Sequence, residues 1–186
     1  TVSRSANAKE EIANGKHPLI RHVKVPRKLS LTPQDDVQTG GWQVCSPSTV
    51  ANFTAVGYYF ARHLHQEIKV PIGLIGSNWG GTRIEPWPPA EGFKAVPALK
   101  ASHADKLDQF AQGKPGRGTP THMHNAMISP LLPYAIKGAI WYQGESNNGE
   151  GMLYHEKMKA LIAGWRSVWN KPDLPFYFVQ LAPFNY

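Results

Sequence analysis

The sequence predicts an α/β fold in which helices cover the faces of a mainly parallel sheet. Helix and strand patterns alternate along the 186 residues, which is the order that parallel strands with helical connections produce. Two apolar strand patterns end in polar, glycine-containing loops, at 76–82 and 143–147. Because open α/β sheets bind ligands beyond the carboxyl ends of their strands, these loops predict an active-site rim.

In the first half, two helix patterns and two strand patterns are separated by a polar loop at 26–41. Residues 5–14 predict a short helix that stops before Gly15. Residues 20–25 predict a strand. A second helix is predicted to start at Ser46 as N-cap, since proline follows it and apolar residues recur on one face thereafter. Residues 72–75 predict a buried strand.

In the second half, the Trp-Pro-Pro sequence at 87–89 interrupts structure, and residues 97–112 predict a helix. The apolar run 136–142 predicts a buried strand, and 176–181 predicts the last one. Between them, a long helix is indicated by an apolar stripe: Tyr154, Met158, Leu161, Ile162, Trp165 and Trp169. The loops after residues 75, 142 and 181 are then expected at one sheet edge.

Composition excludes several classes of protein. No apolar run approaches the length of a membrane-spanning helix, so no such segment is expected. The net charge is +7, with basic residues concentrated at 21–28. Val23 and Val25 alternate with these charges, which favours a half-exposed edge strand over a nucleic-acid surface. The single cysteine, Cys45, excludes an internal disulfide and is interpreted as a small buried residue. The oligomeric state is not indicated.

The polar loops offer hydrogen-bond donors for an oxyanion, but no clear nucleophile. The backbone N–H groups of Gly80 and Gly81 lie in a loop that a substrate could approach closely, and the Gln143 amide could add another donor. A plain tight turn explains the two glycines equally well. Ser77 and Ser146 do not lie in a Gly-x-Ser-x-Gly elbow, so each is interpreted as a loop serine.

Acid, base and metal chemistry have weaker candidates. Glu145 could act with Glu85 as a glycosidase-type carboxylate pair, but a structural acid that accepts backbone N–H bonds in its turn is favoured. His122 and His124 could share one face of an extended segment, yet no third ligand motif accompanies them. They are interpreted as solvated loop histidines.

Three segments, 73–82, 125–131 and 138–147, resemble the sialate O-acetylesterases, which are carbohydrate esterases of the SGNH hydrolase superfamily. Segments 42–47 and 178–184 support the resemblance, so it covers nearly the whole chain as one partial domain, 1–186. It implies a flavodoxin-like three-layer α/β/α sandwich and hydrolysis of acetyl esters on sugars such as sialic acid. It also implies no metal or organic cofactor and an extracytoplasmic location.

The resemblance assigns the oxyanion donors to Gly81, with Gly80 as its neighbour, and to Gln143. It implies that Glu145 and Asn147 support the Gln143 loop. Asn78 and Asn125 are expected to line the same cleft.

The chain departs from the family in its nucleophile. The Gly-Gln-Ser-Asn motif that carries the family's serine and the Asp-x-x-His motif that completes the triad are both absent from the 186 residues. We therefore expect a central fragment with the oxyanion half of the site and no esterase activity alone. Because the family's nucleophile strand is central in the sheet, two strand edges are expected to lack partners, which makes the isolated chain marginally stable.

A non-catalytic carbohydrate-binding module is the alternative. Trp79, Trp87, Trp141 and Tyr142 could stack on sugar rings, although Trp79 and Trp141 could equally be core residues beside the site.

Overall fold

A computed structural model describes residues 1–183, which divide into two units. The first unit comprises 1–26 and 38–78, and the second comprises 27–37 and the described residues from 79 onward. Residues 184–186, which end the predicted domain, lie outside the described residues. The prediction of one domain over 1–186 stays a prediction. Both units combine helices and strands, so the α/β class is confirmed.

The first unit contains a three-stranded mixed sheet. Its strands are β1 (His17–Lys24), β2 (Gln43–Cys45) and β3 (Ile72–Gly76). β1 lies in the centre, antiparallel to β2 and parallel to β3. The predicted edge strand is therefore wrong, and β1 has partners on both sides where an unpaired edge was expected. Within β1, Arg21 and Lys24 are exposed although the strand has a partner on each side, so exposed basic residues here do not indicate an open edge.

Two helices accompany this sheet, α1 (Ala8–Ala13) and α2 (Ala55–Ile68). The predicted start of α2 at Ser46 is wrong. Thr49 closes a turn there, because its hydroxyl accepts a bond from the Ser46 N–H and donates to the Val44 carbonyl. The chain runs extended at Phe53 before α2 begins. The core of the unit comprises Val2, Ile20, Cys45, Val50, Phe53, Tyr58 and Ala61. Cys45 is buried as predicted, and burial raises the pKa of its thiol to about 11.

The second unit contains a two-stranded parallel sheet, formed by β4 (Ala139–Trp141) and β5 (Phe176–Phe178). Both strands are shorter than predicted: β5 starts at Phe176 as expected but ends at Phe178, and β4 comprises only three residues of the predicted 136–142. The loops after β4 and β5 do share one end, where the Val179 N–H donates to the Trp141 carbonyl at 2.8 Å. In the described part of the chain, the strands form two sheets, so the predicted single parallel sheet is not observed.

Helix α5 (Met152–Val168) is the long helix that the sequence predicts, and it packs against α3 (Ala90–Lys94). Glycine is required at this crossing, because a Cβ on Gly92 would lie 2.1 Å from the Ala160 carbonyl oxygen. No helix within residues 1–183 is long and apolar enough to cross a bilayer.

The predicted helix over 97–112 is wrong. The segment forms two short 3₁₀ turns, Pro97–Leu99 and Ala104–Lys106, followed by α4 (Leu107–Phe110). The His103 ring stacks on Phe93 with centroids 4.8 Å apart, between the two turns. This tertiary contact outweighs the helical propensity of the segment.

Three histidines are buried, which corrects the interpretation of His122 and His124 as solvated. His122 is held by two bonds: its Nδ1 accepts from the Gly116 N–H at 2.9 Å, and its Nε2 lies 2.6 Å from the Phe110 carbonyl. His22, in the first unit, stacks on Phe53, and burial lowers its pKa to about 4. Burial likewise lowers the pKa of His124 to about 4, and neither of its ring nitrogens has a hydrogen-bond partner among the described residues.

We predict that His124 makes the protein less stable in acid. An unfolded histidine titrates near 6.5, whereas folded His124 titrates at about 4. Between these values the unfolded state binds more protons, so stability falls as the pH decreases from about 6.5 to 4. His124→Leu should show a shallower loss of the urea midpoint between pH 7.5 and 5. His63→Leu, which changes an exposed histidine, should retain the wild-type slope. Equal slopes for wild type and His124→Leu would refute this prediction.

Candidate active site

The candidate site starts at the loop that follows Trp79 in the second unit. Gly81 has φ +69°, a left-handed conformation that favours glycine. The Thr82 hydroxyl fixes the turn, because it donates to the Trp79 carbonyl at 2.8 Å and accepts from the Trp87 indole at 3.2 Å. Gly80 and Gly81 are exposed. A tight turn is therefore present, and the role of Gly81 as an oxyanion donor stays a prediction.

Gln143 lies directly against this loop. Its amide nitrogen donates to the Thr82 carbonyl at 3.0 Å and to the Asn147 side-chain oxygen at 2.8 Å. The structure thus brings the two predicted donors, Gly81 and Gln143, onto adjoining segments. Both amide hydrogens of Gln143 already have an acceptor within the protein. Its role at an oxyanion stays a prediction.

Tyr154, on α5, holds the other end of Gln143. Its hydroxyl lies 2.9 Å from the Gln143 main-chain carbonyl and 3.0 Å from the side-chain oxygen. Burial raises the pKa of Tyr154, so its phenol stays protonated and can donate. The Trp141 indole contributes a longer bond to the same hydroxyl, at 3.4 Å. Gln143 is therefore held at every polar atom of its side chain.

The turn after Gln143 is pinned by an amide. Residues Glu145–Asn147 form one 3₁₀ turn, in which Asn147 is buried and Glu145 is exposed. The Asn147 side-chain oxygen accepts from the Ile84 N–H at 2.9 Å, which ties this turn to the Gly81 loop. The supporting role predicted for Asn147 has a structural basis. Glu145 was expected to pin the turn, but Asn147 makes the bonds that do so.

A buried polar cluster, comprising Glu85, Asn147, Glu150 and Lys157, lies beneath these two loops. The Lys157 ammonium is 2.7 Å from one oxygen of Glu85 and 2.7 Å from one of Glu150. The Asn147 amide nitrogen donates to both carboxylates, at 3.1 Å each. Arg83 at the rim pairs with the same two carboxylates. The two acidic and two basic side chains balance each other in charge.

Glu85 is committed to this cluster. Burial alone would raise the pKa of its carboxyl, but hydrogen bonds from Lys157 and Asn147 outweigh burial and lower the pKa overall. Glu85 therefore stays ionised, and its bonds run to Lys157 and Asn147. The carboxylate that shares Lys157 with it is Glu150, whereas the glycosidase-type hypothesis paired it with Glu145.

Two other predicted site residues lie apart from these contacts. The Asn125 amide nitrogen donates to the carbonyls of Ser30 and Leu31, at 3.2 and 3.0 Å. Asn125 thus fastens the 27–37 segment within the second unit. Asn78 is the last residue of the first unit and is exposed. Their place in a cleft stays a prediction. Across residues 1–183, no three His, Cys, Asp or Glu side chains are grouped to hold a metal ion.

The aromatic residues near the loops divide into core and surface. Trp87 and Trp141 are buried and pack edge to face, with centroids 6.0 Å apart. Neither can stack on a sugar, which removes half of the support for a binding module. Tyr142 is exposed. Trp79 is partly exposed and has two guanidinium groups against its ring: Arg27 at 5.9 Å and Arg117 at 5.5 Å from the centroid. Arg117 also donates to the Gly80 carbonyl.

The sequence does not identify four residues of the site: Lys157, Glu150, Tyr154 and Thr82. One signal was available for Lys157. It lies three residues after Tyr154 and four before Leu161, so it occupies the apolar stripe of α5. A lysine on a buried stripe requires a carboxylate partner. The partners themselves come from other segments, and sequence spacing does not identify them.

We predict that Lys157→Met destabilises the protein by about 3–5 kcal/mol, because it leaves two buried carboxylates without their shared cation. The Lys157 side chain is only 4% exposed, so water cannot replace the ammonium. The measurement is urea unfolding at neutral pH.

Lys159→Met is the matched control on the same helix. Lys159 forms an exposed pair with Glu156, so its loss should cost less than about 1 kcal/mol. Equal effects of the two substitutions would show that the buried pairs contribute no more than a surface pair.

Comparison with known proteins finds a family and several relatives that resemble the chain. The profile of a family described as "Carbohydrate esterase, sialic acid-specific acetylesterase" matches residues 7–186. The human sialate O-acetylesterase is 38% identical over 139 residues, which cover 69% of this chain and 25% of that protein. The mouse sialate O-acetylesterase is 30% identical over an alignment of 222 residues, and this alignment covers 99% of this chain and 41% of that protein.

A solved structure is also similar. The crystal structure of a carbohydrate acetylesterase from Xanthomonas citri superposes with a TM-score of 0.81 and 35% identity, over 97% of this chain and 38% of that one. The chain thus spans between a quarter and about two fifths of the length of these relatives. With a family profile that matches nearly all of its residues, the chain belongs to the sialic acid-specific acetylesterase family of carbohydrate esterases.

Proposed function

We propose that this chain supplies the oxyanion-binding part of an esterase that removes O-acetyl groups from sugars such as sialic acid. The observation that supports this proposal is the bond of 3.0 Å from the Gln143 amide to the Thr82 carbonyl. It joins the Gln143 loop to the residue after Gly81, so the two candidate donors lie on adjoining segments. Acyl transfer requires N–H groups that lie close enough together to donate to one oxyanion.

In the proposed reaction, a serine oxygen attacks the acetyl carbonyl carbon and the carbonyl oxygen becomes an oxyanion. The Gly81 N–H and the Gln143 amide donate to that oxygen, because these hydrogen bonds become stronger as negative charge develops on it. The sugar hydroxyl leaves with a proton, and water then releases acetate from the serine. Neither a metal nor an organic cofactor takes part.

The serine and its Asp–His pair belong, in this proposal, to segments outside the 186 residues. Neither Gly-Gln-Ser-Asn nor Asp-x-x-His occurs in the chain, and the chain covers 25–41% of its curated relatives. The chain alone should then not hydrolyse esters. The same proposal includes a flavodoxin-like SGNH fold for the whole domain and an extracytoplasmic location. The first check is whether the flanking coding sequence contains the two motifs.

The Arg27 and Arg117 guanidinium groups favour an anionic sugar within this proposal. Both lie over Trp79, and Arg117 bonds to Gly80, next to the proposed donor. A guanidinium group matches a carboxylate in shape and charge. Sialic acid carries a carboxylate, whereas neutral sugars do not. A partly exposed aromatic ring that is contacted by two cations therefore suits an acidic sugar better than a neutral one.

We expect Gln143→Ala in the full-length protein to lower kcat about 100- to 1000-fold, as the loss of one oxyanion donor does in other hydrolases. The measurement is acetate release from O-acetylated sialic acid. Gln109→Ala, an exposed glutamine on α4, is the control and should leave kcat unchanged. Full activity of Gln143→Ala would exclude this role. Sugar binding without hydrolysis by the full-length wild type would favour the binding-module alternative.

We expect Arg117→Gln to lower kcat/KM about tenfold for an acetylated sialic acid, because one charge-assisted hydrogen bond is lost. An acetylated neutral sugar should be affected much less. Lys114→Gln, an exposed cation in the same loop, should change neither value. Equal losses on the acidic and neutral sugars would show that Arg117 serves the loop and does not recognise the carboxylate.

A further inference from the structure

Asn147 is buried at 4% exposure, and all of its side-chain hydrogen-bonding capacity is used. Its nitrogen donates to Glu85 and Glu150, and its oxygen accepts from the Ile84 N–H and the Gln143 amide. The two carboxylates fix which way the amide faces, because an oxygen turned toward them would be repelled. The oxygen must therefore face Gln143.

Lys157 makes this orientation possible. Two carboxylates that converge on one neutral amide would repel each other and favour protonation. The Lys157 ammonium lies 2.7 Å from each of them and removes that repulsion. Lys157 is held by α5, the same helix that places Tyr154 on the other end of Gln143. Two residues of α5 therefore act on Gln143: Tyr154 contacts it directly, and Lys157 acts through Glu85, Glu150 and Asn147.

We infer that Asn147 is a positioning residue for the oxyanion site: it orients the Gln143 amide, and Lys157, Glu85 and Glu150 set the orientation of Asn147. The inference rests on the proposed function, in which Gln143 donates to the oxyanion. It assigns a role to four side chains that act on Gln143 through hydrogen bonds and ion pairs within the protein. Their effect reaches the reaction only through Gln143.

The test is a double-substitution cycle in the full-length protein. Asn147→Leu removes the amide at similar volume and should lower kcat about 10- to 100-fold with little change in KM, since it loosens a donor without removing it. Added to Gln143→Ala, Asn147→Leu should have no further effect on kcat, because its only route to the reaction is gone. Lys159→Met on α5 is the control. An unchanged kcat for Asn147→Leu, or an effect that multiplies with Gln143→Ala, would overturn the inference.

A second readout separates this inference from the proposed function. The side-chain amide hydrogens of Gln143 can be identified by NMR, because their signals disappear in Gln143→Ala. Asn147→Leu should speed the exchange of these hydrogens with water. Lys157→Met should do the same, and the milder Glu85→Gln takes its place if Lys157→Met does not fold. Unchanged exchange in Asn147→Leu and Glu85→Gln would refute the positioning role. A wild-type protein without esterase activity would refute the proposed function, and the exchange rates would still decide whether the cluster orients Gln143.

Discussion

The second unit depends on one constraint: the Lys157 ammonium is buried and must keep both of its carboxylate partners. Glu85 follows the Gly81 loop, and Glu150 follows the Gln143 loop, so one cation fixes both loops to α5. Such a cluster adds less to stability than its short distances suggest, because every charge in it has lost its water. The effect of the cluster is conformational specificity, because any displacement of one loop leaves a buried charge without its partner.

The contacts around this cluster are of two kinds: apolar packing between aromatic side chains, and hydrogen bonds to polar atoms of the same unit. The strands are surrounded by four packed aromatic side chains, Trp87, Trp141, Trp165 and Phe176, and the indole nitrogens of the three tryptophans donate to oxygens of the same unit. The Trp165 indole donates to the Trp87 carbonyl at 3.1 Å, which joins α5 to the chain just beyond Glu85. The apolar contacts place α5 beside the loops, and the buried polar cluster then sets the loops in register with it.

The sequence was sufficient where one element determines its own structure. The helix of α5 and the strand at 72–75 were predicted from the local sequence pattern alone, and both elements are observed, although residues 72–75 are partly exposed and not buried as predicted. The sequence was insufficient where a contact with a residue distant in the chain determines the local structure. His103 stacks on Phe93 and interrupts the predicted helix at 97–112, and the partner of β1 on each side could not be read from its alternation. In the candidate site, motif resemblance predicted Gln143 and Asn147, whose roles stay predictions. Lys157 could not be predicted with its partners, because Glu85 lies 72 positions away in the sequence.

The bonds of Gln143 determine how an oxyanion could be accommodated. Both amide hydrogens are engaged, so donation to a substrate must replace the bond to Thr82 or the bond to Asn147. Release from Thr82 agrees with positioning by Asn147, because the bond to Asn147 then stays in place and continues to orient the amide. The hydrogen that leaves the Thr82 carbonyl lies beside the residue that follows Gly81, where the proposed oxyanion binds. A donor that exchanges a neutral acceptor for a charged one gains most when the charge appears, which is the condition for stabilising the transition state over the ground state.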